Sequence, residues 1–382
     1  MGLGPTQAKR GAKTDLSFAR STPAENPGGA TKLPGDQRRG PLAPGDRVQI
    51  TDPKGRLHTI TLVPGGRFQT NRGALDHDAV LGGPDGQVVE VGEGRTFQVM
   101  RPRLLDYVLS MPRGAAIIYP KDAASIVSAG DIFPGATVLE AGVGSGGLAL
   151  HLLDALGSHG VLHSVEKRDD FAAIARANVA LWYGKEPDNW DLEVADLKDV
   201  LADAEDNSYD RVVLDLLDPW EHVDEVARVL RPGGVFTVYV ATVPQMSRFV
   251  EAVRETKRFS ETESFETMNR KWHVEGLAVR PDHRMIGHTG FLSVTRKVAE
   301  AGAVHVTKAR PAPAAAGKGG QWDEVEDFSA DQLGEHVPNL KRVRRRRRDL
   351  EGKVRTWVHG ESTEDESAEP TKNLETPLEE GR

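Results

Sequence analysis

Apolar and polar positions alternate strictly along the first third of this chain and then change period. Asp46-Arg47-Val48-Gln49-Ile50-Thr51-Asp52-Pro53-Lys54-Gly55 reads as a strand running into a turn. His58-Thr59-Ile60-Thr61-Leu62-Val63 and Val88-Val89-Glu90-Val91 repeat the two-residue period, with glycine clusters between them. The pattern predicts a small all-β domain, barrel or sandwich, over 39–105. Beyond it, short apolar runs alternate with helix-period segments. Residues 115–119 read as a strand, and Pro120-Lys121-Asp122 leads into a helix over 123–128 with Asp122 as its N-cap. Strands follow at 137–140, 160–166, 192–194, 211–214 and 235–240, with helices at 148–156, 171–181 and 223–230. Arg231-Pro232-Gly233-Gly234 stops the last helix and turns the chain. Such alternation predicts βαβ units and a mainly parallel sheet over 106–300. Residues 276–279 and 290–295 are expected to close that sheet as an antiparallel hairpin. The flanks carry no periodicity: 1–38 is basic and rich in Gly and Pro, and 301–382 is Ala/Pro/Gly-rich and then charged. Both are expected to be disordered.

The chemistry concentrates at the end of the 137–140 strand, in Glu140-Ala141-Gly142-Val143-Gly144-Ser145-Gly146-Gly147-Leu148. Glycines there remove the Cβ atoms that would hold a ligand off the backbone, at the strand end where open α/β sheets bind nucleotides. Two templates fit. Gly142, Gly144 and Gly147 satisfy G-x-G-x-x-G, the dinucleotide fingerprint; Glu140, Gly142, Gly144 and Gly146 satisfy acid-x-G-x-G-x-G, the S-adenosylmethionine loop. Glu166, ending the next strand about twenty residues on, suits the ribose hydroxyls of either cofactor. Glu140 favours a cationic sulfonium over a pyrophosphate. Asp196, after the third strand, can take an adenine amino group. Asp215 follows an apolar strand in Leu214-Asp215-Leu216-Leu217-Asp218-Pro219-Trp220, at the mouth of the same crevice. No Tyr-x-x-x-Lys pair accompanies these acids, whereas methyl transfer to nitrogen needs only orientation and a hydrogen-bond acceptor. The residues therefore favour a methyltransferase.

The runs VLEAGVGSGGLAL, SVEKRDD, LDLLDPWE and the upstream AAIIYPKDAASIV resemble the tRNA (adenine-N1)-methyltransferases that modify the T-loop adenine at position 58, with WHVEGLAVRPDHRMIGHTGFLSVTRK close to actinobacterial members. The resemblance spans about 40–300. It implies a Rossmann-like class I methyltransferase sheet, S-adenosylmethionine, a tRNA T-arm substrate and a homotetramer, with RNA or oligomer contacts from the β domain. It further implies that Ala141 to Leu148 hold the methionine portion, that Glu166 binds ribose, and that Asp196 and Leu197 flank the adenine. Asp215 matches the active-site aspartate, and Tyr119 an aromatic beside the substrate pocket; Trp220 is a second candidate for a base-stacking wall. Leu217-Asp218 departs from the DLPEPW form, which affects loop details only.

Composition narrows the setting. The 382 residues contain no cysteine, so neither disulfide nor thiolate chemistry is available. No run approaches the roughly 20 apolar residues of a membrane span, and a cytoplasmic protein is expected. Net charge is −8, but the acids gather at the C-terminus, and KRVRRRRR at 341–348 is a candidate phosphate contact or a solvated tail. Arg280, His283 and Arg284 are further candidates for phosphate. His273, His283 and His288 lack the spacing of a metal site, and no metal is expected. The competing readings are an NAD-dependent oxidoreductase, a non-catalytic RNA-binding subunit, and an enzyme acting on another adenine or a small molecule.

Overall fold

The computed structural model describes residues 38–52, 54–70, 73–91, 94–299 and 340–359. Of the segments expected to be disordered, 1–38 and 301–382, residues 1–37, 301–339 and 360–382 lie outside them. Strands β1 (Arg47–Thr51), β2 (Leu57–Thr61), β3 (Arg67–Thr70), β4 (Gly73–Asp76), β5 (Gln87–Glu90) and β6 (Thr96–Met100) make the N-terminal part. Four of them form an antiparallel sheet in the order β2-β1-β6-β5, and β3 pairs with β4. The period-2 pattern holds: β1 turns Val48 and Ile50 inward, where they meet Leu42, Leu62, Phe97 and Val99. Polar residues between them face outward, as one-sided burial of an antiparallel sheet requires.

Helices α1 (Leu104–Ser110) and α2 (Pro120–Ala129) lead into β7 (Thr137–Ala141), α3 (Gly147–Leu156), β8 (Val161–Glu166), α4 (Asp169–Tyr183), β9 (Trp190–Val194), α5 (Leu197–Asp203), β10 (Tyr209–Leu214), α6 (Val223–Val229), β11 (Leu230–Val240) and α7 (Val243–Thr256). After these come β12 (Glu263–Phe265), β13 (Trp272–Glu275), β14 (Ala278–Pro281), β15 (Phe291–Arg296) and α8 (Leu340–His359). The central sheet runs β12-β15-β11-β10-β7-β8-β9, with β7 to β11 parallel. Residues of α1 to α4 cover one face and residues of α5 to α7 the other, each with its own apolar core. Strand order reverses between β7 and β10, which places the ligand crevice outside their carboxyl ends.

Four expectations are corrected. Residues 115–119 form no strand; the N–H groups of Gly114 and Ala115 point to Ser145 Oγ instead of a neighbouring strand. Asp122 is not an N-cap: Pro120 opens α2, Tyr119 is the cap, and Asp122 sits in the first turn with its carboxylate buried. The 276–279 and 290–295 segments do not pair. Trp272–Glu275 folds back on Ala278–Pro281 around Gly276 (φ +53), because a tight turn closes at less entropic cost than a longer connection. β15 instead enters the sheet between β11 and β12, burying Leu292, Ser293 and Thr295. Finally, the tail expected to be structureless over 301–382 contains α8. Val343 and Leu350 lie seven residues apart on one face and bury against Phe171, Ile174 and Ala177 of α4.

A buried polar knot joins α2 to the C-terminal strands. Lys121 Nζ donates to Asp122 Oδ1 (2.7 Å), Thr267 O (2.6 Å) and Thr289 Oγ1 (2.6 Å), and Thr289 Oγ1 donates to Asp122 Oδ2 (2.6 Å). Asp122→Ala leaves the ammonium buried without its counter-ion. A loss of about 3 kcal/mol in unfolding free energy is expected from urea denaturation, and Asp122→Asn, which keeps an acceptor for Thr289, should lose less.

Candidate active site

Glycine dictates how β7 ends. Gly142 (φ +86), Gly144 (φ +56) and Gly146 (φ +81) are all left-handed, a region other residues enter at a steric cost. A Cβ on Gly142 would stand 2.0 Å from the carbonyl oxygen of Asp215. No side chain fits there. The two strand exits are also bonded directly, Asp215 N donating to Ala141 O at 2.9 Å. The N–H groups of these glycines already have acceptors. Gly142 N donates to Val165 O, Gly146 N to Val143 O, and Gly144 N to Glu166 Oε2. At these three positions the turn offers close approach rather than free donors. Only Gly142 and Gly144 are half-buried; Ala141, Val143, Ser145, Gly146, Gly147 and Leu148 are buried.

Asn178 of α4, absent from the sequence reading, pins this turn. Its Nδ2 donates to Pro112 O and to Ser145 O, both at 2.9 Å, so the 112–119 segment is clamped over the glycines. A fully buried amide within a helix is the signal that could have found it, but no periodicity marks which Asn will be buried.

The acids gather as expected. Glu166 ends β8, and its two carboxylate oxygens accept from Gly144 N (2.9 Å) and Arg168 N (3.0 Å). Each oxygen retains a second lone pair. Glu140 is buried, with Oε2 accepting from Ser164 Oγ (2.6 Å), which in turn accepts from Trp190 Nε1 (2.9 Å). Its Oε1 has no partner. Burial, opposed by the Ser164 hydrogen bond and reinforced by Asp215 and Glu166, pushes the Glu140 carboxyl up to about 8. Asp215 is half-buried and is pushed up to about 7 by desolvation and then by Glu166. Among the described residues no cationic side chain bonds any of these three acids, so the two with raised values hold protons until a cation arrives.

The other expected residues sit around this cluster with partners of their own. Asp196 caps α5, accepting from Lys198 N (3.0 Å) and Lys167 Nζ (2.8 Å), and Leu197 is buried as the first residue of that helix. Tyr119 is half-buried at the start of α2. Trp220 lies in the turn after β10, with the Arg248 guanidinium 4.5 Å from its ring centre. Gln245 Nε2 fixes the same loop through Leu217 O (2.9 Å). Tyr239, near the end of β11, was not anticipated. Burial raises its phenol pKa, and Asp122, Asp215 and Tyr119 all act on it electrostatically. A tyrosine inside the apolar run Val238-Tyr239-Val240 was the available signal. His273, His283 and His288 gather no metal site, and among the described residues no group of three or more His, Cys, Asp or Glu does.

Comparison with known proteins converges on one family. Residues 40–89 match a TrmI-like N-terminal model, and 98–280 match the tRNA methyltransferase complex GCD14 subunit. The chain is 36% identical over 249 residues to a tRNA (adenine(58)-N(1))-methyltransferase of Thermus thermophilus, covering 65% of this chain and 95% of that protein. It is 30% identical over 251 residues to a tRNA (adenine(57)-N(1)/adenine(58)-N(1))-methyltransferase of Methanocaldococcus jannaschii, covering 60% and 88%. Among solved structures, the tRNA (m1A58) methyltransferase of Aquifex aeolicus aligns with a TM-score of 0.60 at 25% identity, covering 68% of this chain and all (100%) of that one. A SAM-dependent O-methyltransferase of Thermotoga maritima aligns at 0.63 with 28% identity, covering 68% and 95%.

The acid cluster sets a pH dependence. Glu140 and Asp215 have ordinary values of 4.5 and 3.8, and both hold protons more tightly folded than unfolded. Their contribution to stability is therefore complete below the ordinary values and is lost as pH rises through about 7 and 8. Thermal unfolding of the ligand-free protein should weaken from pH 5 upward, by at most about 1.4 kcal/mol per pH unit for each group. Glu140→Gln should flatten that slope, and an unchanged slope would refute the assignment.

Proposed function

The chain belongs to the tRNA (adenine(58)-N(1))-methyltransferase family, and from that premise we propose how its residues carry the reaction. It is an S-adenosylmethionine-dependent enzyme that methylates N1 of the T-loop adenine of tRNA. The observation that carries the site assignment is the crevice itself: a glycine turn with no room for a Cβ at Gly142, beside three acids that no cationic side chain bonds among the described residues. Both features fit a cationic nucleoside. When bound, S-adenosylmethionine supplies an electrophilic methyl group on a positively charged sulfur.

Each residue's part follows from its position. Gly142 and Gly144 let the donor approach the backbone closely. Glu166 accepts from the ribose hydroxyls with its remaining lone pairs. Asp196, whose side chain is 40% exposed, accepts from the adenine amino group, and Leu197 flanks that ring. Glu140 lies behind the turn and contributes charge, held in place by Ser164 and Trp190. A pyrophosphate would gain nothing from Glu140 in either protonation state and would be repelled by its ionised form, which disfavours the dinucleotide reading of Gly142, Gly144 and Gly147.

Adenine N1 carries a lone pair, so no strong base is needed to create the nucleophile. Asp215 accepts a hydrogen bond from the N6 amino group, aligns N1, and stabilises the positive charge that develops on the ring. The base must leave the folded T-loop to reach this point. Tyr119 forms its stacking wall, and Trp220, with Arg248 against it, braces the loop behind. The β domain and the exposed Arg280, His283 and Arg284 are proposed to contact the T-arm. A homotetramer is proposed as well. Its support is the β13–β14 hairpin, which exposes Trp272, Val274, Leu277 and Val279 on two short strands that share no sheet with the core. A cytoplasmic location is proposed; among the described residues no helix is long and apolar enough to cross a membrane.

Two measurements test these roles. Asp215→Ala should lower kcat about 10²–10³-fold with tRNA saturating; a near wild-type rate would remove Asp215 from the mechanism. A cationic donor favours ionised Glu140 and Asp215, so its binding near pH 7 should release protons. Calorimetry in buffers of different ionisation enthalpy should show this release for S-adenosylmethionine and less of it for neutral-sulfur S-adenosylhomocysteine.

A further inference from the structure

Helix α8 lies beyond residue 280, where the family match ends, and carries five consecutive arginines, Arg344 to Arg348. In isolation such a run opposes helix formation, because Lys341 and Arg345, and Arg344 and Arg348, are like charges one turn apart. Docking overrides that repulsion. Val343 and Leu350 are buried against α4, and Arg347 Nη1 donates to Asp169 Oδ2 at 3.0 Å. The same docking leaves Arg344, Arg345, Arg346 and Arg348 exposed.

The place of attachment matters as much as the charge. Asp169 opens α4 three residues after Glu166, so Arg347 is anchored at the carboxyl edge of the sheet. Val343 and Leu350 share their apolar cluster with Ala115, whose N–H points to Ser145 Oγ of the glycine turn at 3.4 Å. Helix α8 thus packs on α4 and on the segment bonded to the glycine turn, and its four exposed arginines make a basic ledge on a helix tied to the carboxyl edge of the sheet.

We propose that this ledge binds the phosphate backbone of tRNA and holds the substrate against the crevice, a role that rests on the tRNA-methylating reading above. A polyanion suits it because clustered arginines release counter-ions on meeting phosphates and their mutual repulsion is relieved there. An acidic protein segment offers charge too, but the ledge borders a site whose substrate is itself a polyphosphate.

The test uses the full chain with Arg344, Arg345, Arg346 and Arg348 all changed to Gln, leaving Val343, Arg347 and Leu350 in place. Binding of unmodified tRNA transcript is measured across salt concentrations, alongside methylation kinetics. The expected result is a rise of about tenfold or more in the tRNA Kd and KM and a salt slope shallower by about 2–3. S-adenosylmethionine affinity and kcat at saturating tRNA should stay within about twofold, and the matching Arg→Lys variant should restore most of the slope. Unchanged tRNA affinity and slope would overturn the proposal. So would a fall in kcat or donor affinity at constant tRNA KM, which would make α8 a brace for the 112–119 segment. Poly-L-glutamate competing as well as a charge-matched RNA would also overturn it in favour of an acidic protein partner. Failure of the wild-type chain to methylate tRNA would sink the functional reading instead, which keeps the two outcomes distinct.

Discussion

The close contact between the exits of β7 and β10 is the constraint on which the rest of the site depends. Ala141 and Asp215 share a backbone hydrogen bond, and the missing Cβ of Gly142 is what lets the Asp215 carbonyl settle beside it. Parallel neighbours at a switch point diverge into helices on opposite faces, which opens a crevice between them. With the exits held together, that crevice is narrow, and whatever follows each strand faces the same space. The turn after β7 brings close backbone; the loop after β10 brings Asp215. Glu166 arrives from β8 and is tied to the turn through Gly144 N. One glycine thereby sets the relation between the donor's seat and the acid that positions the acceptor.

Electrostatics then makes the crevice selective. A carboxyl as buried as Glu140 is costly in its ionised form, and among the described residues only Ser164 hydrogen-bonds to it. With Asp215 and Glu166 nearby, the cheapest response of the ligand-free protein is to retain protons, as the raised Glu140 and Asp215 values reflect. A cation entering the crevice changes which state is favoured. The protein therefore carries some instability in its empty state that a positively charged ligand removes, while an anionic cofactor would increase it. Shape alone would admit either nucleotide family; the charge distinguishes them.

Much of this was legible in the order of residues. Strands buried on both faces, such as Arg211-Val212-Val213-Leu214, read as apolar runs, and Gly142-Val143-Gly144-Ser145-Gly146 could only be a tight turn. The strand-end acids were legible because each interrupts or ends an apolar segment. What was not legible depended on distant partners. Residues 115–119 are as apolar as a strand, but Ser145 supplies an acceptor for the N–H groups of Gly114 and Ala115 where the segment begins, and nothing local reveals that. Residues 276–279 and 290–295 each look fit for pairing; the choice is made by the short turn at Gly276 and by the opening beside β11 that β15 fills. Charge obscured α8, since five arginines interrupt the apolar stripe to which Val343 and Leu350 belong. The stripe becomes meaningful only once α4 presents a surface for it.

Three polar tethers explain how a site built on loops stays ordered. Asn178 holds the 112–119 segment to the glycine turn, Gln245 holds the loop after β10 through Leu217 O, and the Lys121–Asp122–Thr289 knot holds the start of α2 to the loop before β15. Each is a side chain from a helix bonding a partner on a neighbouring loop, and each lies behind rather than inside the crevice. Electrostatic stabilisation of a transition state works only if the dipoles and charges do not have to reorganise as charge develops. Tyr119 precedes the knot by two residues, and Asp215 precedes the Gln245 tether by two. The residues proposed to touch the target base are therefore the ones with the least freedom to follow it. The base must come to them, which places the demand for movement on the RNA and not on the protein.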